Sequence, residues 1–311
     1  MTMLKWITKD TNIDFMKARK FTYLLSGLLI ILSCLSIYFK SFNFGIDFSG
    51  GVLMEIKSEQ AINVEEIRSK LNVLNLDELN LQTIGENGDE LMIRAQAENA
   101  DEAALRKAVV DIKEILGNGY EYRRVENVGP QVGDELKKAG IIASVLAMLA
   151  IAIYIWIRFE WQFALGALVG LFHDIIITVG LLSFLRFDFS LTTIAALLTL
   201  VGYSINDTVV TYDRIRENLK KYRKMPQLDL LNKSINDIFS RTILTGVTTL
   251  IAVTPLYIWG GDALSSFSFT ILVGLIIGTY SSIYVCTAFL NLFDLRAVEH
   301  RDEDNYFGSI G

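Results

Sequence analysis

Two long apolar stretches of the chain contain polar and titratable side chains at helical spacing. In one stretch the polar positions fall at i, i+3 and i+4, on Ser204, Asp207 and Thr208. In the other they fall at i, i+4 and i+7, on Arg241, Thr245 and Thr248. An Asp at the centre of a bilayer raises the insertion free energy by about 2.5 to 3.5 kcal/mol, so such residues need a reason to be there.

The two stretches run in opposite directions, which places Asp207 and Arg241 at similar depth and able to face each other. A facing arginine favours the ionised carboxylate, and its withdrawal favours proton uptake. The six polar residues therefore predict an ion- or proton-coupling site. A third apolar stretch carries His173 and Asp174 near its middle, and this pair is a candidate second relay. The alternative for both pairs is that the polar groups only hold helices together.

Six stretches that are almost free of charge would have to position these residues. Hydrophobic residues make up 51% of the 311 positions, and each stretch is long enough to cross about 30 Å of hydrocarbon. The predicted spans are residues 21–39, 139–157, 161–185, 189–212, 242–261 and 266–293. The sequence is thus that of a polytopic α-helical membrane protein.

The distribution of Lys and Arg predicts the orientation. The tail at residues 1–20 and the loop at residues 213–241 are rich in both, which places them, with the tail at residues 294–311, in the cytoplasm. The loop also has apolar residues at helical spacing, which favours an amphipathic helix on the lipid of the inner leaflet. A basic loop that only sets the topology is the alternative. The net charge of −6 argues against nucleic-acid binding, and Cys34 and Cys286 lie inside apolar runs, so we expect no metal or cofactor.

Residues 40–138 lie between the first two spans and read as a folded external domain. Short β-rich runs alternate with two helical patterns, at residues 63–71 and 100–116. Asn63 is a candidate N-cap, and Asn87-Gly88 is typical of a hairpin turn. The order βαββαβ predicts a ferredoxin-like α+β sandwich.

Glycines occur where this domain joins the spans and where spans could approach one another. Those at the domain boundaries are candidate hinges: Gly45, Gly50, Gly51, Gly129 and Gly133. Two GxxxG patterns, at residues 166–170 and 274–278, predict close contact between helices.

Four segments of the chain together resemble the SecD/SecF family of protein-export membrane proteins. They read FGIDFSGG at residues 44–51, VGPQVGDEL at 128–136, GYSINDTVV at 202–210 and SRTILT at 240–245. The resemblance covers nearly the whole chain and includes the order of one span, an external domain and five more spans.

The resemblance implies a subunit of the Sec protein-export machinery in the bacterial inner membrane, and not an enzyme. Its partners would be SecD, YajC, the SecYEG translocon and the exported polypeptide, which the periplasmic domain would touch. Six spans would be half of a resistance-nodulation-division bundle, with SecD supplying the other half. Asp207 matches the family's acidic residue and Arg241 its basic partner, in a role that uses the proton gradient at a late step of translocation.

Two other classes of protein share some of these features. An exporter of lipid or small molecules from the same superfamily would have the same polar spans and external domain. An intramembrane aspartyl protease would use Asp174 and Asp207 as a dyad that shares a proton. The Gly-x-Gly-Asp setting of such a protease is missing, since Ser-Ile-Asn precedes Asp207. The pattern leaves open whether the coupling ion is H⁺ or Na⁺ and how many copies of each partner assemble.

Overall fold

The computed structural model describes residues 11–74, 78–84, 87–96 and 102–296. Residues 1–10 and 297–311 of the predicted tails lie outside this part, and so do residues 75–77, 85–86 and 97–101 of the external domain. The chain forms two compact units. One is helical, and the other is a sheet unit of residues 43–144 and 188–194.

The elements follow one another in an order that confirms the predicted fold class. They are α1 (Arg19–Lys40), β1 (Asn43–Phe44), α2 (Ile46–Ser49), β2 (Gly51–Lys57), α3 (Val64–Leu71), β3 (Glu78–Ile84), β4 (Glu90–Gln96), α4 (Glu102–Leu116), β5 (Glu121–Val128), α5 (Pro130–Arg158), α6 (Trp161–Leu185), β6 (Asp188–Phe189), α7 (Leu191–Lys221), α8 (Gln227–Trp259), α9 (Asp262–Ser281) and α10 (Thr287–Leu290). In the described residues, six helices are long and apolar enough to cross a membrane, and a sheet domain separates the first two.

Three of the six helices extend well past the predicted spans, and one of them, α5, already begins at Pro130. Helix α7 continues to Lys221, and α8 already begins at Gln227, after Pro226. The predicted loop at residues 213–241 therefore consists mainly of two helix ends with a short turn between them. Proline is favoured at such a start because its fixed φ and missing N–H suit the entry to a helix.

The amphipathic stretch of this region packs inside the protein. Leu231 and Ile235 are buried in a cluster with Phe15, Tyr212 and Ile215 from the N-terminal segment and α7. This part of the described chain is thus a corner of the helical core, which differs from the arrangement expected of a helix whose apolar side lies on the inner leaflet. Apolar residues at helical spacing fit a neighbouring helix as well as they fit a lipid surface.

Asp237 on α8 joins this corner to α7. Burial would raise the pKa of its carboxyl, but hydrogen bonds from Asn218, Lys233 and Arg214 outweigh burial and lower the pKa. The Arg214 Nη2 and Asp237 Oδ2 atoms are 2.8 Å apart. The ion pair fixes the end of α7 against the start of α8.

The sheet has the strand order β3-β4-β2-β5, with every neighbouring pair antiparallel. Helices α3 and α4 cover one face through a shared apolar core. This is the predicted βαββαβ arrangement. Asn63 caps α3 as expected, since its Oδ1 accepts from the backbone N–H groups of Glu65 and Glu66 at 3.1 and 3.3 Å, and Gly88 has a φ of +68° in the hairpin.

Short elements that the sequence did not predict complete the sheet unit. Strand β1 pairs in parallel with β6, which directly precedes α7. Gly50 adopts a φ of +71°, and an added Cβ there would lie 3.0 Å from Cα of Pro130, the first residue of α5. An added Cβ on Gly133 would lie 3.3 Å from the Gly50 nitrogen.

Close approach and turn conformation therefore account for Gly50 and Gly133, which differs from the free hinge expected there. A Cβ on Gly45 would also be close to Ser190, at 3.1 Å from its Cβ, and Gly51 has a φ of +125°. A Cβ at Gly129, in contrast, would meet nothing within 4 Å in the described residues.

Candidate functional site

Asp207 lies on α7 where this helix meets α8. Its Oδ1 accepts a hydrogen bond of 2.9 Å from Thr242 Oγ1. Its Oδ2 is buried and has no hydrogen-bond partner among the described residues. One oxygen of the carboxylate is thus held by Thr242 on the neighbouring helix, and the Arg241 charge and the Ser282 hydroxyl also act on the carboxylate.

The predicted polar stripe of α8 does not meet this carboxylate. Arg241 is exposed, and within the described chain no ion pair or hydrogen bond joins it to Asp207. The hydroxyls of Thr245 and Thr248 bond to carbonyls of their own helix, at 3.0 and 2.9 Å. Thr242, which the sequence reasoning missed, takes the place expected for Arg241. Consecutive helical residues are about 100° apart, so the contact face is shifted by one residue from the predicted stripe.

Thr208 contacts a different helix from Asp207. Its Oγ1 lies 3.0 Å from Ser282 Oγ and 3.8 Å from Cys286 Sγ. Ser282 and Cys286 bound a π-helical segment, Ser282–Cys286, that continues α9. Such segments occur often at functional sites because they widen the backbone locally.

A second polar centre surrounds Asp174 on α6, and it is more completely buried than Asp207. Asp174 is 1% exposed and His173 is 3% exposed. Asp174 Oδ1 lies 2.9 Å from His173 Nδ1, and Asp174 Oδ2 accepts from Ser204 at 2.6 Å and from Ser281 at 2.9 Å. Ser204 therefore belongs to this centre and not, as predicted, to the surroundings of Asp207.

A line of hydrogen bonds continues from His173 to α1. Its Nε2 lies 3.1 Å from Ser26 Oγ, which lies 3.0 Å from the hydroxyl oxygen of Tyr280. The Tyr280 hydroxyl donates to the carbonyl oxygen of Thr22 at 2.9 Å. Sequence reasoning missed Ser26, Tyr280 and Ser281, because single hydroxyl residues are common in apolar helices and their long-range partners leave no local pattern.

The direction of one end of this line is fixed by the Thr22 carbonyl. A carbonyl oxygen can only accept, so the Tyr280 hydroxyl hydrogen is committed to it. Ser26 has one hydrogen to give and lies between the Tyr280 hydroxyl oxygen and His173 Nε2. The line therefore joins the buried carboxylate of Asp174 to the backbone of α1.

Glycines bring the helices close enough for these contacts. An added Cβ on Gly274 would lie 2.4 Å from Leu200 Cδ2, and one on Gly278 would lie 3.3 Å from Ser204 Cβ. On α6, a Cβ at Gly170 would lie 2.2 Å from Cys286 Sγ. Both predicted GxxxG patterns thus face a neighbouring helix at short range.

The two carboxylates form separate polar centres. Asp174 and Asp207 have separate partners, and no hydrogen bond joins them in the described part of the chain, which differs from a dyad that shares a proton. In the described residues, no group of three or more His, Cys, Asp or Glu side chains is placed to hold a metal ion.

Models of one protein family match two parts of the chain. Residues 109–296 match the model described as "Protein export membrane protein SecD/SecF, C-terminal", and residues 36–62 match "SecD/SecF GG Motif". The second range contains Gly50 and Gly51, which both have a positive φ. Both glycines of the pair thus adopt backbone conformations that other residues rarely adopt.

Curated relatives match over almost their whole length. The protein translocase subunit SecF of Rickettsia bellii (strain OSU 85-389) is 45% identical over 300 residues, which cover 95% of this chain and 98% of that protein. The protein translocase subunit SecF of Rickettsia conorii (strain ATCC VR-613 / Malish 7) is also 45% identical, over 93% of this chain and 94% of the relative.

Two solved structures have the same fold. The crystal structure of SecDF, a translocon-associated membrane protein from Thermus thermophilus, aligns with a TM-score of 0.81 and 34% identity over 91% of this chain. A crystal structure of SecDF in the super-membrane-facing form aligns with a TM-score of 0.66 and 33% identity over 97% of this chain. The present chain covers 39% and 40% of those two chains.

Proposed function

The chain belongs to the SecD/SecF family of protein-export membrane proteins, and we propose that it is the SecF subunit that couples an ion gradient to late preprotein translocation. The observation that carries the coupling role is the carboxylate of Asp207. It lies on α7, at the contact with α8, and it is held there by the Thr242 hydroxyl. A carboxylate at such a contact is a group whose charge can change which helix arrangement is favoured.

Asp207 can serve as the site that gains and loses the ion. When it is ionised, its buried Oδ2 accepts no hydrogen bond in the described residues, and only the Ser282 hydroxyl and the Arg241 charge act on the carboxylate besides Thr242, so a cost of burial remains. Protonation, or a bound Na⁺, removes this cost. One charge that moves through 100 mV releases about 2.3 kcal/mol, which is enough to shift a two-state equilibrium substantially.

Arg241 would act in the other state of the cycle. Arg241 immediately precedes Thr242 on α8, so the two side chains leave the helix about 100° apart. A rotation of α8, together with the length of the arginine side chain, would replace Thr242 by Arg241 beside Asp207 and favour the ionised form. The alternation of these two partners is the proposed switch.

Membership of the family supports a proposal for the partners and the location. We propose SecD as the second half of the bundle, since the structural relatives are SecDF chains of which this chain covers about two fifths. SecYEG and the exported polypeptide would be further partners, and YajC rests on the family resemblance alone. The excess of Lys and Arg in the tails and in residues 213–241 supports cytoplasmic termini and a periplasmic sheet domain in the bacterial inner membrane.

The test is preprotein release from membrane vesicles under an imposed pH or sodium gradient. Asp207→Asn keeps the volume and loses the titratable charge, so we expect normal assembly with SecD and no stimulation by the gradient. Asp213→Asn is the matched control, since Asp213 is on the same helix, is 43% exposed and pairs with Arg158. Normal stimulation in Asp207→Asn would refute the role of this carboxylate. Comparison of the two gradients identifies the ion.

A further inference from the structure

The loop between α6 and α7 is bound to the sheet domain through Asp188. Arg94 Nη2 on β4 donates to Asp188 Oδ2, and Asn43 Nδ2 on β1 donates to Asp188 Oδ1 at 2.5 Å. The Arg94 side chain is 5% exposed, and that of Asp188 is 29% exposed. Both oxygens of the carboxylate are therefore used to attach this loop to the domain.

Arg94 reaches Asp188 from the face of the sheet that α3 and α4 leave uncovered. On β4, Leu91 and Ile93 enter the apolar core beneath those helices, whereas Met92 lies in a separate small cluster with Ile46 and Leu53. Side chains alternate between the faces of a strand, so Arg94 shares the face of Met92, and its Nη2 lies 3.9 Å from Met92 Sδ. This second face of the sheet receives the segments that adjoin the spans.

The start of α7 is fixed by the same junction. Asp47 Oδ2 accepts from the backbone N–H of Leu191, the first residue of α7, at 3.0 Å. Thr193 Oγ1 donates to the backbone oxygen of Asp188 at 2.8 Å. Contacts place residues 188–194 in one compact unit with the sheet domain, so the first turn of α7 belongs to that domain. The same helix then carries Ser204 and Asp207 some 13 and 16 residues further on, about 20 and 24 Å along its axis.

We propose that Asp188 is a positioning residue, and that its ion pair with Arg94 makes the sheet domain and α7 move as one body. This inference rests on the proposed function and extends it. A change at Asp207 alters the preferred position of α7, and the junction at Asp188 converts that change into a displacement of the domain. A helix is stiff along its axis, so an attachment at its first turn transmits such a displacement without loss in a flexible loop.

The first experiment removes the ion pair. Asp188→Asn and Arg94→Met are each compared with the charge-exchanged double variant Arg94→Asp/Asp188→Arg, and Arg123→Met is the matched control. Arg123 is also on the sheet, but it is 44% exposed and pairs with Glu90 at 2.7 Å. Two quantities are measured in energised vesicles: stimulation of export by the gradient, and the rate at which the gradient itself decays.

We expect both single variants to lose stimulation while the gradient still decays at the wild-type rate, because the ion site remains but no longer drives the domain. The charge-exchanged variant should recover part of the stimulation, and Arg123→Met should behave as wild type. Full stimulation in the folded single variants would overturn the proposal. A loss of both quantities together, with reduced protein in the membrane, would mean that the pair only supports folding, and this also overturns it.

A second experiment does not depend on the stability of those variants. Phe44 and Phe189 are register partners between β1 and β6, and a disulfide between Phe44→Cys and Phe189→Cys, in a Cys34→Ser background, would lock the junction. We expect full stimulation after oxidation, since the locked segments already move together. A loss of stimulation that a reductant reverses would show that the segments must separate, which contradicts the proposal. If wild-type vesicles showed no stimulation by either gradient, the proposed function itself would fail, which is a different result from all of these.

Discussion

The contact between Thr242 and Asp207 gives the sharpest test of the candidate site. Thr242→Val replaces the hydroxyl by a methyl group of similar size and removes the hydrogen bond of 2.9 Å to Oδ1. Thr245→Val is the matched control on the same helix, because the Thr245 hydroxyl bonds only to carbonyls of α8. The sequence pattern predicts that Thr245 matters, whereas the structure predicts that Thr242 does.

The size of the effect follows from the kind of bond. A hydrogen bond to a charged group contributes about 1.5 to 3 kcal/mol, whereas bonds between membrane helices average about 0.6 kcal/mol with a maximum of about 1.7. The two ranges overlap at about 1.5 kcal/mol. Without the Thr242 hydroxyl, the ionised form of Asp207 would be destabilised by about this amount, which changes the equilibrium between the ionised form and the form with a bound proton or ion by about tenfold. Thr242→Ser keeps the hydroxyl and should keep most of this equilibrium.

The change in this equilibrium can be measured as the rate of preprotein export over a series of imposed gradients. We expect the stimulated rate of Thr242→Val to fall by up to about tenfold, with the unstimulated rate unchanged, and we expect Thr245→Val to match wild type. If Thr242→Val exported normally, the hydroxyl would have no part in coupling. If Thr245→Val were the more damaging variant, the working arrangement of α8 would be the one that the sequence stripe predicts.

Three further outcomes can be measured on the same protein. Arg241→Met should abolish stimulation as fully as Asp207→Asn, and the double variant should be no worse than either, because groups that act as a unit are not additive; additive losses in the vesicle assay would contradict this. Gly170→Ala should destabilise the protein by about 1 to 3 kcal/mol in a thermal or denaturant assay, because the added Cβ would lie 2.2 Å from Cys286 Sγ. Gly202→Ala is the control, since a Cβ there would meet nothing within 4 Å, and it should leave the stability unchanged. Equal stability of the two variants would refute the packing argument. Because the pKa of Asp237 is lowered in the folded protein, its ion pair stabilises the fold above the unfolded pKa of about 3.9. This contribution is lost as the pH falls through the pKa of the folded protein. The free energy of unfolding should therefore decline less on acidification in Asp237→Asn than in wild type.

Local periodicity was sufficient to predict most of the architecture. The six apolar stretches and the order βαββαβ each follow from residues that are close in sequence, and the structure has both. The junction at β1 and β6 could not be predicted in this way. Its strands have two residues each and are separated by more than 140 positions, so its pairing leaves no periodic signal.

The sequence indicates the residue types of the candidate site but not their pairings. Asp207 lies at an inter-helix contact as the polar stripe suggested, but the stripe on α8 was placed one residue out of phase, on Arg241 and not on Thr242. Ser204 was assigned to Asp207 from spacing on α7, and it donates to Asp174 on another helix. Spacing fixes which residues share a face of one helix, whereas the rotation of each helix against its neighbours depends on packing across the whole bundle.

The surroundings of Asp174 and Asp207 differ, and the difference bears on which carboxylate the proposed cycle would use. Asp174 Oδ1 lies 2.9 Å from His173 Nδ1, and its Oδ2 accepts from Ser204 and Ser281, so both oxygens have partners in the described residues. Asp207 accepts one hydrogen bond, from Thr242, and its second oxygen is buried without one in this part of the chain, while the Arg241 charge and the Ser282 hydroxyl also act on the carboxylate. Fewer hydrogen bonds would have to rearrange at Asp207 than at Asp174 when an ion is gained or lost, and this supports Asp207 as the exchanging group of the proposed cycle.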